Sequence, residues 1–210
     1  MDGICSPPNL CRSKLMPFRA SSLWIVLFGF VTFIFALPAF GQKRVFVADP
    51  NQSRVEFTLG DILHTVHGIF HLKSGDLRFD PSTGVAEGQL VVDADSGDSG
   101  NKARDRKMKS DILETQQYPD IIFRPRGVKG AMASLGNSQV ELDGVMILHG
   151  QSHPMEITVP ITVNGDTASA DIPFEIPYVK WGLKNPSTLF LRVSEKVEIN
   201  VHVVGRFTER

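Results

Sequence analysis

Cysteine is nearly absent: the 210 residues hold two, Cys5 and Cys11, both near the start. No disulfide can staple the body of the chain, and no cysteine follows the first apolar run to receive a lipid. The fold must rest on its apolar core, which about 170 residues can do unaided. An excess of one charge is missing too. Lysine and arginine number 22 against 23 acidic residues, a formal net charge of −1. Asp2, Arg12, Lys14 and Arg19 are the only charges before Gln42, which leaves −3 for the rest. That balance gives no electrostatic ground for nucleic acid as a partner. Catalytic signatures are also lacking. There is no G-x-S-x-G elbow and no phosphate-cradling glycine loop. No spacing joins a histidine and an aspartate to a serine nucleophile. Neither a catalytic residue nor a cofactor is assigned, and the chain is not expected to be an enzyme.

What is there begins with a distinct leader. Three basic side chains precede Leu23 to Leu37, a run of 15 uncharged residues, and Pro38-Ala39-Phe40-Gly41 follows. A basic region, an apolar stretch of about 7–15 residues and small residues at a cut site describe a secretory signal peptide. Residues 1–41 are therefore read as a signal helix and 42–210 as the mature domain, placed in the periplasm or secreted. The alternative is an anchor facing the periplasm, because Leu23 to Phe40 approaches the ~17–25 residues of a spanning helix. Pro38 and the small residues behind it favour cleavage.

From Gln42 onward, short apolar–polar alternation broken by turn residues predicts strands. Val55, Phe57 and Leu59 alternate with Glu56 and Thr58, and Val66 and Phe70 flank Gly68 on one face. Gly75-Asp76 reads as a turn before Leu77 and Phe79. Val197, Ile199, Val201 and Val203 face one way; Lys196, Glu198, Asn200 and His202 face the other. One segment, Ser99 to Glu114, has no strand period. Its sparse apolar face of Ala103, Met108, Ile112 and Leu113 predicts the one main helix, with Asp98 or Ser99 as cap and its charges, Asp105 included, on a solvated face.

Metal sites are not expected. His67 and His71 share a strand face, but four residues of strand span about 13 Å, while zinc ligands sit about 2 Å from the metal. His64 faces the other way. His149 and His153 repeat the wide spacing, so exposed strand histidines are the expectation. Asp93, Asp95 and Asp98 resemble the start of a calcium loop, yet its twelfth position, where a bidentate glutamate belongs, is Arg104. A turn with a helix cap suits them better.

The order of several short pieces resembles the YceI-like family of bacterial lipid-binding proteins, from about Val45 to Phe207. They are Val55-Glu56-Phe57; His64, Val66, Gly68 and Phe70; Gly75 through Pro81; Arg104-Asp105 with Met108 to Ile112; Tyr118-Pro119 with Ile121 and Phe123; and Val145 to Gly150. Two stretches depart from the pattern, Tyr178 to Leu183 and the SGDSGN loop. The resemblance implies an all-β protein, an elongated antiparallel lipocalin-like barrel, holding a polyisoprenoid, an isoprenoid quinone or a similar long-chain lipid. Strand parity and the matching segments together name Val55, Phe57, Val66, Phe70, Phe79, Ile121, Phe123 and Val145 as lipid-binding residues. A peripheral membrane contact is compatible with such a ligand. Two other readings stay open: an enzyme acting on an isoprenoid lipid, and a filled-core structural or stress-response protein of the envelope.

Overall fold

The computed structural model describes residues 44–60, 65–187 and 192–209. The apolar leader with its two cysteines, His64 and Phe190 lie outside the described residues. Nine strands make one antiparallel sheet: β1 (Arg44–Ala48), β2 (Arg54–Gly60), β3 (Thr65–Asp80), β4 (Val85–Asp93), β5 (Asp120–Lys129), β6 (Gly136–Leu148), β7 (Gln151–Asn164), β8 (Thr167–Ile176) and β9 (Val197–Glu209). Neighbours run β3, β2, β9, β8, β7, β6, β5, β4, and β4 returns to β3. Strands β1 and β2 both bridge β3 to β9 at different heights: β2 lies against Thr65–His71 and β1 against Asp76–Phe79. They share one place in the ring. The result is a closed eight-stranded barrel, in which β7 and β8 pair only where Ile161 to Asn164 meet Thr167 to Ala170.

Alternation decides which side chains point inward. In β6, Val140, Leu142, Met146 and Leu148 are buried while Glu141 and Asp143 are exposed. In β7 the buried positions are Ile157, Val159 and Val163, with Thr158, Pro160 and Thr162 outside. The expected alternation of β9 is present: Ile199 and Val203 are buried and Val201 shares their side. The β6–β7 hairpin turns on two residues, His149 and Gly150, both with positive φ (51° and 71°). That is the type I′ pattern, whose twist suits a two-residue hairpin.

Gly75-Asp76 is not a turn. Strand β3 runs 16 residues through it, with a register irregularity between Leu72 and Ser74. Gly75 is small for a packing reason: a Cβ there would lie 2.4 Å from the side chain of Leu90.

The chain between β4 and β5 closes one end of the barrel. A 3₁₀ turn, Ala94–Ser96, is capped by Asp93, which accepts from the Asp95 amide. Helix α1 (Lys102–Lys107) then runs into a π-helical turn, Met108–Ile112. Its cap is neither Asp98 nor Ser99 but Asn101, whose side chain accepts from the amides of Ala103 and Arg104. Asp98 instead pairs its backbone with Ile69 of β3 (2.9 and 3.0 Å). Asp105 is buried rather than solvated. Its carboxylate accepts from the Ser99 amide at 2.9 Å and from the Ser99 hydroxyl, while Arg104 donates to the Ser99 carbonyl at 2.7 Å. Those bonds satisfy a buried charge and fix the SGDSGN loop. Met108 and Ile112 pack against the core and Leu113 joins it. Burying a leucine contributes about 1.5–3 kcal/mol.

Candidate functional site

The inward positions do not fill the barrel. They enclose a cavity of about 200 Å³ that runs from Phe70, Met146 and Ile176 at the helix-capped end to Pro81 and Gly130 at the other. The residues at the capped end are buried, whereas Pro81 and Gly130 are exposed. The cavity therefore opens between the β3–β4 and β5–β6 turns. Its wall is aliphatic and aromatic, and among the described residues Ser169 is the only lining one with a polar side chain. Among the described residues no large side chain falls below 2% exposure, as befits a barrel with an open interior rather than a close-packed core.

Five of the eight residues named from sequence line this cavity: Val55, Phe70, Phe79, Ile121 and Phe123. Phe57 faces inward but ends beneath the capped end, where its ring meets Phe70 at 5.3 Å and lies against Gly68. Val66 shares the parity of Phe70 and packs on the core above it, outside the cavity wall. Val145 is one position out of phase. Its neighbours Leu142 and Met146 line the cavity and Val145 does not. The eight residues named from sequence include none from β7 and β8, which contribute Ile157, Val159, Ile161, Ala170, Ile172 and Phe174. The signal was present: both segments alternate over their whole length.

Polar chemistry gathers at the capped end. Glu114 accepts from Lys184 Nζ (3.2 Å) and pairs with His149 Nε2 (3.1 Å). The lysine first, and then the histidine, hold its carboxyl below the usual glutamate range. Tyr118 packs its ring on His149 at 4.4 Å. The Tyr178 hydroxyl donates to the Ser194 carbonyl at 2.6 Å, and burial pushes that phenol up. His149 and His153 are thus not free surface histidines. His153 faces inward, opposite Met146, and stacks flat on Trp181 at 4.0 Å. His67 and His71 are exposed, as expected. Among the described residues no three His, Cys, Asp or Glu side chains are placed to hold a metal.

A closed antiparallel barrel with an apolar cavity and one capping helix defines a lipocalin-like architecture. Residues 46–205 match the YceI-like domain, and the chain belongs to that family. A UPF0312 protein of Vibrio parahaemolyticus is 28% identical over 141 residues, 64% of this chain and 69% of that protein. One from Vibrio cholerae is 32% identical over 94 residues, 44% of this chain and about half (48%) of that protein. Among solved structures, BcnA of Burkholderia cenocepacia superposes with a TM-score of 0.63 at 20% identity, covering 75% of this chain and 98% of BcnA. A polyisoprenoid-binding domain of Saccharophagus degradans, implicated in plant cell wall breakdown, gives 0.59 at 15% identity over 78% of this chain and 98% of that one. At such identities the structural likeness establishes the shared fold.

Proposed function

We propose that this chain is an exported binding protein that holds a polyisoprenoid, an isoprenoid quinone or a similar long-chain lipid with its tail inside the barrel. The observation that carries the reading is the cavity itself, apolar along its length and open at one end. Each CH₂ moved from water into such a wall gains about 0.8 kcal/mol, so a long tail binds tightly without polar contacts. At about 200 Å³ the empty cavity is smaller than the ~300–1,000 Å³ of ordinary ligand pockets. A slender tail suits it, with adaptable side chains such as Met132 and Met146 giving way. The family and the polyisoprenoid-binding relative point the same way.

Export follows from the leader: residues 1–41 act as a signal peptide, and the domain from Gln42 works in the periplasm or outside the cell. The loop beside the mouth suits collection of ligand from a membrane. It carries no charge from Gly130 to Leu135, nor does the start of β6 as far as Gln139, and Leu135 is 68% exposed. An enzymatic reading would require an acid–base pair facing the ligand, and among the described residues the wall offers only Ser169. Titrating the protein with a fluorescent polyprenyl probe tests the proposal. Val159→Trp fills the cavity and should weaken binding at least tenfold. Thr158→Trp, one residue away on the outside, should leave it unchanged. Equal binding by the two variants would refute it.

A further inference from the structure

Two buried side-chain polar atoms have no hydrogen-bond partner among the described residues: Ser138 Oγ and His153 Nε2. Leaving such a group unpaired costs free energy, so each asks for an explanation. Ser138 lies in the mouth-side half of β6, opposite Ile161. The histidine is the more telling. His153 has the parity of the cavity-lining Ile157 and Val159 and sits directly across the ladder from Met146, which lines the capped end. Trp181 covers one face of its imidazole, with the two rings only 2° from parallel. The indole is itself held in place: its backbone N–H donates to the Pro177 carbonyl at 3.1 Å, within the turn that Tyr178 ties to Ser194. Along β7 only Met155, an unbranched and adaptable side chain, separates His153 from the cavity wall.

The geometry points to the His153–Trp181 pair as the seat of the ligand's polar head, an uncharged carbonyl-bearing group that accepts a hydrogen bond from His153 Nε2. This rests on the reading that a lipid tail occupies the barrel, and it adds a direction: tail toward the mouth, head under the helical cap. An uncharged head fits because, among the described residues, no lysine or arginine lines the cavity, and the nearby Lys184 is engaged by Glu114. Burial also lowers the His153 pKa, which disfavours the charged ring. A phosphate head would find no cation on the described cavity wall to neutralise it. A neutral imidazole with an N–H at Nε2 still donates to a carbonyl.

Trp181 supplies the readout, being the only tryptophan besides Trp24. In the full chain carrying Trp24→Phe, indole fluorescence is followed during titration with a prenylated benzoquinone, with a head-free hydrocarbon of equal tail length, and with the matching polyprenyl phosphate. The quinone should quench Trp181 and the hydrocarbon should not, although a displaced fluorescent polyprenyl probe shows that both bind. His153→Phe keeps the ring stack and removes the donor. It should weaken quinone binding roughly 3- to 10-fold, the size of one neutral hydrogen bond, and leave hydrocarbon binding unchanged. That unchanged binding also reports an intact fold. Quinone binding without quenching, or with equal affinity in His153→Phe, would overturn the head-group site while leaving the barrel reading intact. Tighter binding of the phosphate would overturn the neutral head. Failure of quinone and hydrocarbon alike to bind the parent protein would overturn both readings together.

Discussion

Glu114 and His149, two non-glycine residues with left-handed backbone (φ 50° and 51°), hydrogen-bond to each other at 3.1 Å. The contact joins the end of the helical segment to the β6–β7 turn, and Lys184 brings the 177–187 segment to the same carboxylate. Three covers of the capped end thus meet at one side chain. Strained backbone of this kind persists only where its surroundings impose it.

Its pH dependence follows from the depressed Glu114 pKa. A carboxylate held below its ordinary value of 4.5 contributes stability above that value and loses it as pH falls through the folded-state pKa. Melting curves of the parent and Glu114→Gln should therefore differ near neutrality and converge as pH falls well below the ordinary glutamate value. An unchanged gap at low pH would show that the carboxylate's charge is not what stabilises the cap.

Helix docking is tested at Met108, which packs against the core beside Phe70 and Gly97. Met108→Asp removes apolar contact and places a charge there, at a cost of roughly 2–5 kcal/mol. Denaturant unfolding measures it. A variant as stable as the parent would mean the helix does not hold the cap.

Gly68 gives a second packing test. A Cβ there would lie 2.3 Å from the Phe57 ring and 2.6 Å from the Asp98 carbonyl oxygen, and the latter is backbone held by two hydrogen bonds to Ile69. Overpacking of this kind costs about 1–3 kcal/mol, so Gly68→Ala should lower the unfolding free energy by that amount. No loss would mean that Phe57 and the Asp98 loop yield freely.

Most of the barrel was legible because its strands alternate cleanly, as β2 and β9 do. The misplaced residues each have a physical cause. Gly144 through Leu148 is a continuous apolar run, so polarity alone cannot say whether Val145 or Met146 faces in. The hairpin at His149-Gly150 settles it by fixing the register with β7. Gly75-Asp76 has the composition of a turn, but close packing against Leu90 explains the glycine just as well. Asp105 looked solvated among its charged neighbours, and only the folded SGDSGN loop brings Ser99 to it. His153 required the register of β7 and the placement of Trp181, some 28 residues along the chain, which no local pattern encodes.

Processing is expected after Gly41. Protein recovered from the cell envelope should be soluble and begin near Gln42 on N-terminal sequencing, because the basic, apolar and small-residue pattern ends there. An intact N-terminus in the membrane fraction would make Leu23 to Leu37 an anchor instead.

The central claim is the proposal that the barrel carries a polyisoprenoid, an isoprenoid quinone or a similar long-chain lipid, and mass spectrometry of organic extracts from protein purified without detergent tests it most directly. The account predicts a near-stoichiometric isoprenoid lipid in the parent protein and its marked depletion in Val159→Trp, whose new side chain occupies the space of the tail. A parent protein that yields no apolar small molecule, and that takes up none when incubated with isoprenoid-containing vesicles, would contradict the claim.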